Sequence, residues 1–332
     1  MSRWSKSSLK TLHRPFPFIE SLTLKGPPPD FIQAHYPDIR ITPWIEQLAL
    51  EFRCLKELCI RRLVAHDEDL ETLTRTHGND LRSLKIKMCK GFLTDGLRHV
   101  SKYCNQLRTL CLTYSYYDNV KDGILLHQLA LNSMVKEKLH VMNMDIIYNA
   151  EDLTLLAKNY CNPLISLKIG ACYLSKLGDA IRYVVRFPNL EVLYTQDIYG
   201  YRGLQVIGKF CQKLRKLTHN GLVTYAGLIA LAKGCTKLEC LDVTLKDISN
   251  EAMECVRTHL KNLRDFHIWL SREDDIKILP LDYGVRAMLI GCSKLERLDI
   301  SHLWHGGLTY VGLEYIGSYG ANLRSLSLTR IG

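Results

Sequence analysis

The stretch Gly227-Leu228-Ile229-Ala230-Leu231-Ala232-Lys233-Gly234-Cys235-Thr236-Lys237-Leu238-Glu239-Cys240-Leu241-Asp242-Val243 carries two hydrophobic periods in succession. Gly227, Leu228, Leu231 and Cys235 recur at the three- and four-residue spacing of one helix face. Leu238, Leu241 and Val243 then form an L-x-x-L-x-V hexad, the pattern of a short strand that sends its apolar side chains to one side. Neither segment can bury its own apolar face. The pair must stack on copies of itself.

Copies occur on both sides. The hexad returns at Leu55-Leu58-Ile60, Leu81-Leu84-Ile86, Leu107-Leu110-Leu112, Leu139-Met142-Met144 and Leu164-Leu167-Ile169. It continues through Leu190-Leu193, Leu214-Leu217, Leu263-Phe266-Ile268, Leu295-Leu298-Ile300 and Leu323-Leu326-Leu328, with a first member at Ile19-Leu22-Leu24. Most successive first positions lie roughly 24–28 residues apart, which is the leucine-rich-repeat range. The helical half recurs as Gly96-Leu97-x-x-Val100-x-x-x-Cys104 and Gly203-Leu204-x-x-Ile207-x-x-x-Cys211. An α/β fold follows: a horseshoe solenoid with a concave parallel sheet and convex helices, spanning residues 17–332 in about 12 repeats. Residues 1–16 precede the first repeat, and no capping repeat follows the last hexad.

Cys104, Cys161, Cys211, Cys235 and Cys292 each stand three residues before the next hexad. One thiol per repeat is expected to be a small buried hydrophobe, not a metal ligand, because convergence on one site would need several in the same repeat. Two connections are longer than the others, and the second carries Ser271-Arg272-Glu273-Asp274-Asp275-Ile276-Lys277. Inserted residues in a solenoid loop out of one face, which is often the binding face.

The residue between the last two apolar positions of each hexad, and the one after them, should face the concave side. Lys25, Arg61, Lys85, Lys87 and Lys168 occupy these positions early in the chain, and Asp242, Thr244, His267, Trp269, Asp299 and Ser301 occupy them later. Several cations on one concavity suit an anion or an acidic partner, and an aromatic such as Trp269 suits a binding hot spot. The net charge of +10 over 332 residues points the same way. It comes without a basic run, an RNP motif or zinc-finger spacing, so a nucleic-acid partner is not expected.

No apolar stretch is long enough to span a membrane and no signal core follows Met1, so no membrane partner is expected. The twelve cysteines come with no C-x-x-C pair, which suits reduced thiols and a nuclear or cytoplasmic protein. Nucleotide-binding, zincin and nucleophile-elbow motifs are absent, so no catalytic residue and no metal site is expected. His302 and His305, followed by Gly306-Gly307, lack a third ligand and fit a turn at a repeat edge.

Several segments resemble the plant coronatine-insensitive family of jasmonate-receptor F-box/leucine-rich-repeat proteins. They include Pro188-Asn189-Leu190-Glu191-Val192-Leu193, Arg202-Gly203-Leu204, the 227–235 stretch, Leu279-Pro280-Leu281-Asp282-Tyr283-Gly284-Val285-Arg286 and Gly306-Gly307-Leu308-Thr309. Leu24-Lys25-Gly26, Thr42-Pro43-Trp44 and Thr94-Asp95-Gly96-Leu97 extend the resemblance to the N-terminal half.

The resemblance implies a non-enzymatic recognition subunit of a cullin-based ubiquitin ligase. Such a subunit binds a transcriptional-repressor degron together with a jasmonate conjugate, with an inositol phosphate in the basic centre of the solenoid. Docking on a Skp-type adaptor would need an F-box of about forty residues, longer than the 1–16 segment. The family's ligand tyrosine aligns with Thr244. The first arginine of its K-L-R-R segment aligns with Glu296, leaving Arg297, and its arginine near Lys25 is replaced by the Pro27-Pro28-Pro29 run. A block of repeats between the Leu164 and Leu190 hexads is missing. The resemblance thus implies a receptor scaffold with an incomplete hormone pocket; the alternative is a stand-alone protein-interaction solenoid without ligase coupling.

Overall fold

The computed structural model describes residues 16–27, 39–92, 94–113, 138–147, 162–172, 187–196, 203–270, 280–301 and 307–329. The chain divides into two compact units, Met1–Leu164 and Ile165–Gly332. Among the described residues, the first unit contains β1 (Ser21–Lys25), α1 (Thr42–Glu51), β2 (Glu57–Arg61), α2 (Asp67–His77), β3 (Ser83–Lys87), α3 (Thr94–Tyr103), β4 (Thr109–Thr113) and β5 (Val141–Ile147). The second contains β6 (Ser166–Cys172), β7 (Val192–Gln196), α4 (Gly203–Phe210), β8 (Lys216–Val223), α5 (Tyr225–Gly234), β9 (Cys240–Leu245), α6 (Asn250–His259), β10 (Asp265–Leu270), α7 (Asp282–Gly291), β11 (Arg297–Ser301), α8 (Tyr310–Tyr319) and β12 (Ser325–Thr329).

Within each unit the strands follow chain order and pair in parallel, in register except for shifts between Ile169 and Ala171 in β6 and between His219 and Val223 in β8. Leu58 stands opposite Leu84, and Leu84 opposite Leu110. Leu217, Leu241, Phe266 and Leu298 form the same column in the second unit. These side chains are buried, as are the helix positions Leu204, Leu228, Leu231 and Val285 that meet them. Each fully buried leucine contributes roughly 1.5–3 kcal/mol, and none of this is available to a repeat standing alone. The fold is a leucine-rich-repeat solenoid, as the hexads require.

Two further ladders tie neighbouring repeats together. The thiols of Cys104, Cys211, Cys235 and Cys292 are buried, and two of them donate to the previous repeat: Cys235 Sγ to the Cys211 carbonyl at 3.2 Å and Cys292 Sγ to the Leu260 carbonyl at 3.6 Å. Burial pushes the Cys235 thiol up to about 12 and that of Cys292 to about 11, far from the thiolate range needed for reactivity. Cys161 lies outside the described residues.

At the helix starts, side chains of one repeat accept from the next. Asp67 Oδ1 takes the Gly96 N–H at 2.9 Å, Asn250 Oδ1 the Gly284 N–H at 2.7 Å, and Asp282 both the N–H and the hydroxyl of Thr309 at 2.9 and 2.7 Å. These bonds satisfy N–H groups at or just before the helix starts, where intrahelical acceptors run out, and they set the spacing of adjacent helices.

One contact column is polar. Thr195 and His219 take the third apolar position of their hexads and are fully buried. Thr195 Oγ1 lies 2.7 Å from His219 Nδ1, while His219 Nε2 is buried without a hydrogen-bond partner. Burial pushes the imidazole down to about 4. The unfolded chain takes up this proton near pH 6.5, so the neutral ring's contribution is fully present above that pH and declines as the pH falls toward 4. Urea unfolding between pH 7.5 and 4.5 is expected to show His219→Leu flattening the acid slope of the wild type. An unchanged slope would mean that His219 is not the group responsible.

Helix packing supplies a second prediction. A Cβ on Gly234 would lie 1.7 Å from the Gly208 carbonyl oxygen, so α4 and α5 approach at a distance only glycine permits. Gly317, on α8, has nothing within 4 Å of such a Cβ. Gly234→Ala is expected to destabilise by about 1–3 kcal/mol through overpacking, whereas Gly317→Ala should stabilise by about 0.5–1 kcal/mol. Urea unfolding of the two variants measures both signs.

Candidate functional site

Alternation along each strand is the starting point. With the hexad positions buried, residues one, three and five of a strand stand on its other face. In the first unit, Lys25, Arg61, Lys87 and Thr113 are register partners, and so are Thr23, Cys59, Lys85 and Cys111. Adjacent strands are about 4.8 Å apart, so three cations stand side by side with a fourth, Lys85, one row below.

The turn after β2 adds a fifth. Arg62 has φ 55°, a left-handed conformation that a side chain with Cβ adopts at a cost, and its Nη2 donates to the Gly26 carbonyl at 3.0 Å. Gly26 fits because a Cβ there would meet the Arg62 carbonyl oxygen at 2.0 Å. The Nε atoms of Arg61 and Arg62 are buried without hydrogen-bond partners. Among the described residues no ion pair joins any of these five cations to a carboxylate. Like charges directly opposite one another on a sheet are destabilising, and an anion over this face would remove that repulsion.

Lys25, Lys85 and Lys87 are therefore brought together by the fold, with Arg61 at their centre. Arg62 falls outside the hexad alternation; only the turn geometry places it here.

The second unit has a different face. Its first row runs Lys216, Cys240, Asp265, Arg297, its second Thr218, Asp242, His267, Asp299, and Thr244, Trp269 and Ser301 form part of a third. Arg297 Nη2 bonds Asp265 Oδ2 at 2.6 Å, so this guanidinium is already engaged. His267 Nδ1 lies 3.8 Å from Asp299 Oδ2. The buried Ser301 hydroxyl donates to Asp299 Oδ1 at 2.7 Å and accepts from Thr329 Oγ1 at 2.8 Å. Trp269 is 44% exposed. Thr244, Trp269 and Arg297 thus share a face, but Arg297 serves Asp265.

At the edge below this face, the residue after each first leucine alternates in sign: Glu191, Arg215, Glu239, Arg264, Glu296, Arg324. Arg215 pairs with Glu239 at 2.7 Å and Arg264 with Glu296 at 2.9 Å. Glu296, which stands where the family resemblance places an arginine, is thus a rung of a surface ion-pair ladder.

Among the described residues there is no group of three potential metal ligands and no helix long and apolar enough to cross a membrane. Lys168 Nζ stands 4.6 Å from the centroid of the Tyr194 ring; the 271–277 segment and the His302–His305 pair lie outside the described residues.

No family model matches the chain. The chain is 34% identical over 408 residues to coronatine-insensitive protein homolog 1a of Oryza sativa subsp. indica, covering 97% of this chain and 68% of the rice protein. It is 33% identical over 410 residues to coronatine-insensitive protein 1 of Arabidopsis thaliana, covering 97% and 69%. Both alignments are longer than the 332-residue chain itself, so these relatives carry segments with no counterpart here. Among solved structures, a chain of the yeast Rad7 and Elc1 complex superposes with TM-score 0.54 at 16% identity, covering 98% of this chain and 77% of that one. That likeness supports the fold alone.

Proposed function

The chain belongs to the coronatine-insensitive family of F-box/leucine-rich-repeat proteins, and from that premise we propose that it is a non-enzymatic recognition subunit that holds a protein partner on its strand faces. The finer reading is a substrate-recognition role of the cullin-ligase type in jasmonate signalling, in the nucleus or cytoplasm, with a repressor degron as the partner. The observation that carries it is the cation row of the first unit, Lys25, Arg61 and Lys87 with Arg62 and Lys85, which no carboxylate among the described residues pairs. A polyphosphorylated small molecule such as an inositol phosphate suits a row of cations on one strand face, each charge-assisted bond contributing roughly 1.5–3 kcal/mol.

The same reasoning argues against tight hormone binding. A jasmonate conjugate presents a carboxylate, and the guanidinium retained at Arg297 is held by Asp265. Thr244 supplies a short hydroxyl where a ligand tyrosine stands in the family.

The test measures thermal unfolding of the full chain with inositol hexakisphosphate, with the jasmonoyl-isoleucine conjugate, and with a degron peptide of a jasmonate-pathway repressor. At a hundredfold excess over Kd a ligand adds about 2.7 kcal/mol of stability. Inositol hexakisphosphate is expected to raise Tm in the wild type and not in a Lys85→Ala/Lys87→Ala variant. The conjugate is expected to leave Tm unchanged, and a pull-down should capture the degron equally with and without it. Hormone-dependent capture would contradict the incomplete pocket. An absence of both the inositol-phosphate shift and degron capture would contradict the proposed role.

A further inference from the structure

The α7–α8 pair of the second unit carries a ring-stacked guanidinium that lacks an anion. Tyr283, Arg286 and Ile290 stand three and four residues apart on α7 and so share one stripe of that helix. Tyr315 and Tyr319, four residues apart on α8, oppose it. The Tyr283 and Tyr315 ring centroids are 6.2 Å apart, as are those of Tyr315 and Tyr319. The Arg286 guanidinium lies 5.4 Å from the centroids of both Tyr315 and Tyr319, inside cation–π range. Its Nε is buried without a hydrogen-bond partner. The face itself is open to solvent, with Tyr283 67% exposed, Ile290 46% and Tyr319 39%.

The first unit holds the complete version of this arrangement. Arg75 lies 5.3 Å from the Tyr103 ring centroid, and Glu71, four residues earlier on the same helix, accepts from its Nε at 2.8 Å. That stacked cation is neutralised within the chain. Asp282 stands four residues before Arg286, but its carboxylate is buried and takes both the N–H and the hydroxyl of Thr309. Four residues after Arg286 stands Ile290, which has no charge. Among the described residues no carboxylate pairs with Arg286. The groups that hold its guanidinium above the ordinary arginine value are phenols, first through a hydrogen bond with Tyr319. A ring-stacked guanidinium is planar and weakly hydrated, and its fork of N–H groups fits a carboxylate. Exposed tyrosines beside an arginine are also the composition in which binding hot spots are enriched.

We propose that the α7–α8 face of the second unit docks a segment of a protein partner that presents a carboxylate to Arg286 and a neighbouring apolar side chain to Tyr283 and Ile290. The partner supplies from outside the group that Glu71 supplies to Arg75. An apolar segment without the acid would leave the guanidinium unpaired as it is desolvated, which costs binding energy. An acidic segment without the apolar neighbour would leave the tyrosines uncovered. This surface lies on helices and is separate from the strand faces that carry the recognition role proposed above, so the two stand or fall independently.

The experiment pans a phage-displayed library of random 12-residue peptides against the immobilised full chain. Acidic peptides would also be drawn to the cation row of the first unit, so Lys85→Ala/Lys87→Ala serves as the parent. The parent is compared with versions that add Arg286→Met, which keeps the stacked stem and removes the charge, or Tyr283→Ser, with circular dichroism confirming that each is folded. Peptides selected by the parent are expected to be enriched several-fold in Asp or Glu next to an aromatic or aliphatic residue. That enrichment should fall to background with Arg286→Met and with Tyr283→Ser. Tyr283→Ser changes an exposed ring and decides the matter alone should Arg286→Met fail to fold. A synthetic copy of the strongest peptide should bind the parent about tenfold or more tightly than its Asn or Gln counterpart, which keeps the shape and loses the charge. Peptides without the acidic–apolar pair, enrichment that survives either substitution, or recovery of no peptide would each overturn this inference. The degron pull-down described above judges the strand-face role separately.

Discussion

Each repeat has a strand and a helix whose apolar faces have nothing to rest on within the repeat, and every other feature of the molecule depends on that insufficiency. Leu238, Leu241 and Val243 are buried because the repeats before and after contribute Leu214, Leu217, Leu263, Phe266 and Ile268 at matching heights. The requirement forces parallel strands at a fixed register, since a slip of one residue would turn the leucine column out to solvent. Stability then accumulates repeat by repeat, as in other quasi-one-dimensional folds. Buried thiols that bond carbonyls of the previous repeat, and Asp or Asn side chains that take N–H groups from the next, refine a spacing that leucine burial has already imposed.

Register also converts a one-dimensional pattern into surface chemistry. Residues that are far apart in sequence become neighbours a strand spacing apart: Lys25 beside Arg61 beside Lys87 in the first unit, and Asp242 beside His267 beside Asp299 in the second. Surface ion pairs as exposed as those of the Glu191–Arg324 ladder contribute little individually, and the ladder accounts for charge without calling for a ligand. Among the described residues the cation row of the first unit has no such internal balance. Charge on the strand faces is the surface chemistry that register assembles in both units.

Much of this was legible in the hexads. The leucine spacing predicts which side chains are buried and which face outward, so Lys25, Lys85, Lys87, Thr244 and Trp269 could be placed on a strand face before any coordinates. Arg297 shows the limit: its partner Asp265 is thirty-two positions away, and only the strand-to-strand register brings the two together. Arg62 lies one residue beyond the alternation and joins the cation group through a left-handed turn that no local composition marks. Thr195 and His219 look like breaks in the hexad pattern, yet they fill the core as a pair, because two polar groups in adjacent repeats can satisfy part of each other's hydrogen bonding. Glu296 reads as a lost ligand arginine from the family pattern and as a ladder rung between Arg264 and Arg324 in the structure.

The most direct test of the central claim is hydrogen–deuterium exchange of the full chain with and without inositol hexakisphosphate. Opening of a strand end is a local event, and a ligand protects the amides it bridges. The account predicts added protection at the ends of β1, β2 and β3, around Gly26, Arg62 and Met88, with β9 to β11 unchanged. Protection confined to β9, β10 and β11, or no protection anywhere, would contradict it.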